Sequence, residues 1–469
     1  MIMRWPATIG VLTAGFVLAF ALVLACGFSL MIGAVLLPAL AIGALLLTAP
    51  MFGLVLLAMF AQLDAVGNMV SGMLPISLYK LLTISTLSGY ALMSYRKRRD
   101  HRLGPPTREM RYAVIFGLIM GLSFVICAYK GPSLVHIIGF VSSMLLFFLI
   151  VAMVDTPKKL EALVWTLLLS GFFSSIIVLA DTFLGIRVLS TSDAAATAEF
   201  EGQARSAGAS DYNPTTAAHM LLATTIIAGV LFVQHRHMRW LSFLALMVGI
   251  PALVLTFARS AVIALGVVAV IFAWQNRHNR FFAFTLCVIA LALSAALPFV
   301  PPLFWERMAT LVDIGLDRTL LRRISYNIIG LQLWGQHPVL GIGPGNFPFY
   351  YASADFRWFP GREPLPRQLH NTYLEVATET GILGICAFLA VMISSLRRAA
   401  QAAAASCGTV SSMARALAYA FGAFLVASTF MPNEDTKFMW ILPGLCVAAW
   451  RLAILDRTPA LHPDKGTKP

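Results

Sequence analysis

The sequence predicts an all-α polytopic membrane protein of about 12–14 transmembrane helices, with a large, partly helical loop on the translocated side before the last three spans. Composition is the first reason: apolar residues make up 59% of the 469 residues and charged residues only 12%. The mean hydropathy of +0.81 is the second. A soluble fold needs about 25% charged residues to cover its surface. These values exclude a soluble enzyme, a disordered regulator and an extracellular disulfide scaffold.

Apolar runs of membrane-crossing length supply the predicted helices. The runs lie near 8–28, 30–48, 50–66, 74–94, 112–129, 134–154, 160–181, 214–233, 240–257, 260–274, 281–299, 376–396, 413–432 and 437–455. Basic clusters separate several runs, at 96–111, 158–159, 235–239, 277–280 and 397–398. If every run spans once, all these clusters fall on the cytoplasmic side, as the positive-inside rule requires. The count falls to about 12 if two early runs merge or are re-entrant.

This topology divides the chain into four parts. Residues 1–181 are predicted to form N-terminal transmembrane helices, and 182–299 further spans with a first translocated loop and a hairpin at Arg259. Residues 300–371 form the large translocated loop, and 372–469 form the C-terminal helices and a tail. Both termini are then cytoplasmic.

Charge and cysteine usage narrow the chemistry. The net charge of +13 is what basic cytoplasmic connectors produce, so we predict no nucleic-acid partner. The six cysteines have no CxxC spacing, and most lie in apolar runs where a thiol acts as a small hydrophobe. The sequence contains no Asp-x-Asp motif and no His, Cys and carboxylate cluster with ligand spacing. We therefore predict no metal ion and no cofactor.

Arginines on the translocated side are the first candidates for binding a substrate. The stretch 240–274 is short for an outward and a return span, with about 26 Å per limb against a core of ~30 Å. Arg259 at its turn is therefore expected in or near low dielectric, where a charge is usually functional. Arg205 lies in a small-residue loop before Asn213 and Pro214, which mark the start of a helix.

The large loop contains seven arginines and no lysine. Arginine binds phosphate through a planar, bidentate fork, whereas lysine is a point charge. Pairing with acidic residues of the same loop explains most of these arginines. Others belong to an amphipathic helix predicted over 316–333, where Arg318 and Arg322 share one side and Arg323 follows. For this helix, phosphate contact and simple exposure are equally good interpretations.

Two motifs follow this helix. The segment 337–347 has alternating glycines, including Gly343 and Gly345, before Asn346, and such a pattern allows close backbone approach to a ligand. His370 then precedes a predicted helix start at which the positive end of the dipole favours a neutral imidazole and attracts anions. Lys80 and Asp64 lie near outer ends of spans, where they line the same cavity or pair with one another.

The residues resemble one family. HPVLGIGPGNF at 337–347 followed by HNTYLEVATETGILG at 370–384 resembles the O-antigen ligase and O-antigen polymerase superfamily of bacterial envelope enzymes. The turn LTFARSAV at 255–262 and the segment QARSAGASDYNPTTAAHM at 203–220 fit the same pattern. The resemblance spans roughly residues 203–384, and residues 1–180 match in hydropathy alone.

The resemblance implies a metal-independent glycosyltransferase in the bacterial inner membrane, with its active site facing the periplasm. The donor would be a glycan on undecaprenyl diphosphate, and the acceptor a hydroxyl of the lipid A core or of a growing polysaccharide. Membrane lipids and envelope polysaccharide assembly proteins are the expected partners.

The same resemblance implies roles for individual residues. His370 matches the family's motif histidine, which takes the acceptor proton or orients the acceptor. The remaining candidates are Arg259 and Arg205 for the diphosphate clamp, Arg322, Arg323, Arg318 and Lys80 for further substrate contacts, and Gly343, Gly345, Asn346, Asn371 and Glu379 for support of the loop and helix start.

Other interpretations remain open. An exopolysaccharide or O-antigen polymerase uses the same chemistry as a ligase and differs only in its acceptor. A polysaccharide flippase also needs many spans and a cationic cavity, but its cations should reach both membrane faces. A non-catalytic membrane scaffold would not explain why the large loop contains seven arginines and no lysine.

Overall fold

The computed structural model describes residues 43–71, 77–96, 106–185, 188–189, 199–200, 203–278, 302–309, 318–358 and 365–455. Within these residues the chain is almost entirely helical, and seven helices are long and apolar enough to cross a membrane. Three shorter apolar helices accompany them. The predicted class, an all-α polytopic membrane protein, is confirmed.

Residue contacts divide the chain into two units, of which the first comprises 1–60 and 67–105. Its described helices are α1 (Pro50–Phe60) and α3 (Leu78–Arg96), which pack closely. A Cβ on Gly53 would lie 2.1 Å from Thr86 Oγ1, and one on Gly89 would lie 2.5 Å from the Leu46 carbonyl oxygen. Glycine is therefore required for these helices to approach each other, as is common between membrane helices.

The second unit comprises 61–66 and 106–469. Helix α2 (Asp64–Ser71) begins in it. The following elements are α4 (Arg108–Ile126), α5 (Lys130–Met153), α6 (Pro157–Leu184), β1 (Glu199–Phe200), β2 (Gln203–Ala204), α7 (Pro214–Gln234), α8 (Arg239–Leu255), α9 (Arg259–Asn276), α10 (Pro302–Ala309), α11 (Arg318–Gln336), α12 (Phe347–Ala352), α13 (Thr372–Ala405), α14 (Gly408–Ala427) and α15 (Lys437–Leu455). β1 and β2 form a two-residue antiparallel pair.

Helices α7 and α13 organise the packing of this unit. α7 is buried along most of its length and contacts α6, α8, α9 and α14. α13 contacts α4, α14 and α15, and α15 also packs on α5. By contrast, α4 exposes an apolar face with Leu118, Leu122 and Val125, as a surface solvated by lipid requires. The two central helices therefore position the residues at their ends.

Most predicted spans coincide with described helices. One difference is the run 50–66, where α1 ends at Phe60 and α2 starts at Asp64. Polar side chains explain the break, because Gln62 Oε1 accepts a hydrogen bond from Ser170 and Asp64 Oδ1 accepts one from the Asp211 backbone. The runs 8–28 and 281–299, and most of 30–48, lie outside the described residues.

The predicted amphipathic helix of the large loop is present as α11. Tyr326, Ile329 and Leu333 form its buried face, which joins a small core with α12 and the segment before α13. Ile324, Ile328 and Leu331, which recur every three or four residues along the predicted helix, are exposed. α11 therefore packs on the bundle through the face that carries Tyr326, Ile329 and Leu333.

Candidate functional site

Arg259 begins α9 after a very short turn. α8 ends at Leu255, so only Thr256, Phe257 and Ala258 connect the two helices, and all three are buried. Arg259 itself is 8% exposed. Its positive charge lies at the positive end of the α9 dipole, an arrangement that an anion would neutralise.

Arg205 holds this turn. Its guanidinium donates from Nε and Nη2 to the Thr256 carbonyl oxygen, at 3.0 and 2.9 Å, and Nη2 also lies 3.3 Å from Thr215 Oγ1. Arg205 is also 8% exposed. Phe257, next to the bound carbonyl, has φ 53°. A non-glycine residue in this conformation persists only where the surrounding structure enforces it, and Arg205 supplies part of that constraint.

His370 is the other described non-glycine residue with positive φ, at 62°. The next residue, Asn371, caps α13 by accepting hydrogen bonds from the backbone of Tyr373 and Leu374. The His370 ring contacts Tyr326 of α11 edge-on, with 5.2 Å between centroids. Its Nδ1 is buried and has no hydrogen-bond partner among the described residues. That nitrogen is therefore a buried polar atom left without a partner in the part of the chain that the structure describes.

The electrostatic surroundings of His370 keep its ring neutral. Burial, and then the charges of Arg323, Arg367 and Arg322, lower its pKa from 6.5 to about 3. Arg322 and Arg323 are half-buried on α11, whereas Arg367 is exposed. The structure therefore brings two of the predicted loop arginines near the predicted histidine. A neutral imidazole accepts protons, and the surrounding guanidinium groups favour a bound anion.

The glycine-rich segment pairs with a break in α13. Gly381 has φ 67° and interrupts the helix, which frees carbonyl groups of the preceding turn. The backbone N–H groups of Ile342 and Gly343 donate to the carbonyl oxygens of Thr378 and Glu379, both at 3.0 Å. A Cβ at Gly381 would lie 2.1 Å from the Val339 oxygen. The two motifs that carry the family resemblance are therefore one structural unit.

Glu379 of α13 forms hydrogen bonds with the backbone of the glycine-rich segment. Its carboxylate accepts hydrogen bonds from the backbone N–H groups of Gly345 and Phe347, at 2.7 and 3.1 Å. Asn346 lies between them, fully buried, and donates from Nδ2 to the Ile342 carbonyl at 2.9 Å. The predicted support residues Gly343, Gly345, Asn346 and Glu379 lie together. They shape the loop, and their contacts here are with the protein itself.

The starts of α9 and α13 lie at the same end of the bundle. Ser260, next to Arg259, contacts His219 of α7, and Asn433 joins His219 to Thr372, the first residue of α13. Arg259 and His370 are thus connected through buried polar side chains within one unit.

Glu434 lies in the loop before α15. Glu434 is buried, and this burial, together with the charge of Asp435, raises its pKa well above 4.5. Burial therefore favours the uncharged acid at Glu434. Among the residues that the structure describes, no three His, Cys, Asp or Glu side chains are grouped to hold a metal ion. Metal independence stays a prediction.

Part of the chain is similar to a known family. Residues 243–389 match the family model described as O-antigen ligase. The match covers 147 of the 469 residues, so this part of the chain is similar to O-antigen ligases. A search of curated proteins found no match. The matched segment includes Arg259, the glycine-rich segment and His370, so the predicted resemblance is confirmed.

Lys80 and Arg318, the other predicted substrate contacts, stay predictions. Lys80 is exposed in the first turn of α3 and belongs to the other unit. Arg318 begins α11, but its side chain lies outside the described part of the chain. Arg205 precedes the matched domain in sequence and still contacts its turn at Thr256.

Sequence reasoning missed several residues that build the candidate site. His219 gives the clearest signal that was available, because a histidine inside an apolar span is expensive and usually functional. Thr256, Ser260 and Asn433 carry no such signal, since hydroxyl and amide side chains are common in loops and helix ends.

Proposed function

We propose that the protein transfers a glycan from undecaprenyl diphosphate to an acceptor hydroxyl, as an O-antigen ligase does. The family match supports an O-antigen ligase or polymerase type of function. The identity of the donor, the assignment as a ligase and the independence of metal ions are parts of the proposal. The observation that carries the proposal is a neutral histidine, with a free buried nitrogen, among arginines and two helix starts.

Arg259 and Arg205 form the proposed diphosphate clamp. A diphosphate placed at the start of α9 would meet the positive helix end and the buried guanidinium of Arg259. Arg205 orients the turn through Thr256 and adds a second positive charge. Preorganised cations of this kind stabilise charge that develops on a leaving group without needing to reorganise. Arg322 and Arg323 extend the cationic surface toward His370.

The proposed reaction is a single displacement. The acceptor O–H gives its proton to Nδ1 of His370 as its oxygen forms a bond to the anomeric carbon. The bond between that carbon and the diphosphate oxygen breaks, and its electron pair leaves with undecaprenyl diphosphate. Bound diphosphate also offsets the arginine charges that lower the His370 pKa, so the imidazole becomes a better base when the donor is present.

We place the site on the periplasmic face of the inner membrane, with both termini in the cytoplasm. The basic connectors support this orientation through the positive-inside rule. Lipid-linked donors and acceptors reach a site on that face laterally, through the membrane. Proteins of envelope polysaccharide assembly are the proposed partners. A flippase is less well supported, because the candidate residues of the second unit gather at one end of the bundle.

A transfer assay tests this function directly. Purified full-length protein is incubated with an undecaprenyl-diphosphate-linked oligosaccharide and either lipid A core or a second lipid-linked oligosaccharide. We expect release of undecaprenyl diphosphate with product formation, unchanged by a metal chelator. Product on lipid A core indicates a ligase, and lengthened lipid-linked glycan indicates a polymerase. Transport of the donor across vesicles without transfer would contradict the proposal.

A further inference from the structure

His219 lies near the start of α7, and its side chain is completely buried although α7 is one of the apolar candidate spans. A polar ring at such a position needs hydrogen-bond partners from the protein, because lipid provides none. Both ring nitrogens have one. Nε2 lies 2.7 Å from Ser260 Oγ, and Nδ1 lies 3.1 Å from Asn433 Nδ2. The ring therefore joins the first turn of α9 to the loop before α15.

Asn433 determines which ring nitrogen carries the proton. The Ser428 hydroxyl donates to the Phe424 carbonyl oxygen at 2.7 Å, so Ser428 Oγ accepts from Asn433 Nδ2 at 3.0 Å. The second Nδ2 hydrogen is directed at His219 Nδ1. With Nδ1 as the acceptor, the ring carries its proton on Nε2, which faces Ser260 Oγ.

The same asparagine reaches the start of α13. Its backbone N–H donates to Thr372 Oγ1 at 2.8 Å, and the Thr372 hydroxyl donates to the Met431 carbonyl oxygen at 2.8 Å. Thr372 is the first residue of α13 and lies two residues after the proposed base. The side chains of Ser260 and His219 and the residues Asn433 and Thr372 thus connect the two helix starts that carry the proposed chemistry.

All four residues of this connection are buried, at 3% exposure for Ser260 and none for His219, Asn433 and Thr372. Hydrogen bonds at such sites are strong, and removing one partner leaves the other unsatisfied. If position 219 served packing alone, an apolar side chain would be sufficient there. A histidine that bonds to two different elements fixes their separation as well.

We propose that His219 is a positioning residue that holds Arg259 at the distance from His370 that glycan transfer requires. The proposal rests on the proposed function for the roles of these two residues. A displacement of about 1 Å in such an arrangement lowers a rate about 100-fold. His219 itself touches Ser260 and Asn433, so it acts through the backbone of both helix starts.

Hydrogen–deuterium exchange on the full-length protein tests the positioning without any substrate. His219→Phe keeps an aromatic ring and removes both hydrogen bonds. We expect faster exchange both at 256–260 and at 370–374. Thr224→Val is the matched control, because Thr224 is buried on the same helix and its hydroxyl bonds to the Met220 and Leu221 carbonyl groups of α7. Unchanged exchange at either segment in His219→Phe, or equal changes in the control, would overturn the proposal.

Kinetics give the second readout. In His219→Phe we expect kcat to fall about 100-fold while the KM for the lipid-linked donor changes less than about threefold. His219→Gln retains an amide donor for Ser260 and should recover about 10-fold of this loss. A rise in KM at constant kcat, or no recovery in His219→Gln, contradicts positioning. If wild-type protein transfers no glycan, the proposed function fails, and the exchange data still decide whether His219 couples the helix starts.

Discussion

The guanidinium of Arg205 donates two hydrogen bonds to the carbonyl oxygen of Thr256, at 3.0 and 2.9 Å. Arg205 lies in the loop before α7, while Thr256 directly follows α8, three residues before Arg259. One arginine of the proposed clamp therefore holds the turn that presents the other. Because Phe257 in this turn has φ 53°, the turn depends on such external contacts.

The substitution Arg205→Lys tests whether the positive charge of Arg205 is sufficient or whether its planar guanidinium is needed. Lysine keeps the positive charge but lacks the planar fork, so we expect glycan transfer to fall at least about 10-fold. Initial rates with the lipid-linked donor measure this effect. Arg239→Lys is the control, since Arg239 donates to the Phe232 carbonyl oxygen at 3.2 Å and is exposed. Equal losses in both variants would show that Arg205 has no special role.

Gly381→Ala should disrupt the break in α13. The backbone there has φ 67°, and a Cβ would lie 2.1 Å from the Val339 oxygen. We expect a lower apparent Tm and loss of transfer, because the glycine-rich segment can no longer pair with α13. Gly422→Ala makes the same change in α14, where a Cβ meets nothing within 4 Å. It should be neutral or stabilising by about 0.5–1 kcal/mol. A similar Tm in Gly381→Ala and Gly422→Ala would contradict the role given to Gly381 in the break of α13.

Glu379→Gln tests the carboxylate beneath the glycine-rich loop. An amide has a single acceptor oxygen, so one of the N–H groups of Gly345 and Phe347 loses its partner. The expected destabilisation is about 1–3 kcal/mol, seen as a lower apparent Tm with a parallel loss of transfer. Asp355→Asn alters an exposed carboxylate that accepts from Ser353 and should leave both unchanged. Wild-type stability in Glu379→Gln would remove this residue from the support of the loop.

The helices could be predicted from sequence because hydropathy and basic connectors suffice to place membrane spans. The tight turn at Arg259 also followed from length alone, since 240–274 is short for two crossings. The pairing of 341–343 with 378–379 could not be predicted, because it depends on a helix break whose signal is one glycine. The apolar runs also gave no indication that α1 would end at Phe60.

Part of the site was predictable for a similar reason. Arg259, Arg205 and His370 stand out as costly or unusual residues at outer ends of spans. The sequence predicts a phosphate-binding role for Arg205, whereas in the structure its guanidinium contacts the Thr256 backbone and Thr215. Such contacts depend on the tertiary approach of two loops. His219 was overlooked because its partners are 41 and 214 residues away.

The pKa of His370 should respond to its arginine neighbours. Burial and the charges of Arg323, Arg367 and Arg322 lower it from 6.5 to about 3. Because the folded-state pKa is below the unfolded value, the neutral ring stabilises the fold above about pH 6.5. That stability is lost as the pH falls from 6.5 toward 3. Arg323→Gln should raise this pKa toward 6.5.

Nuclear magnetic resonance of ¹⁵N-histidine-labelled protein measures this titration. His370→Ala identifies the signal. Arg357→Gln is the control, because Arg357 stacks on Trp358 and is exposed. A His370 pKa that stays the same in Arg323→Gln, or that rises equally in the control, contradicts the electrostatic account.

The most direct test of the central claim measures two properties of the same variants: affinity for undecaprenyl diphosphate and rate of glycan transfer. Arg259→Ala and Arg259→Lys should lose both, since the clamp needs a bidentate cation. His370→Ala should bind undecaprenyl diphosphate and fail to transfer. Arg277→Ala, at the other end of α9, should match wild type. Full transfer in Arg259→Ala or His370→Ala, with the protein correctly inserted, would contradict the account.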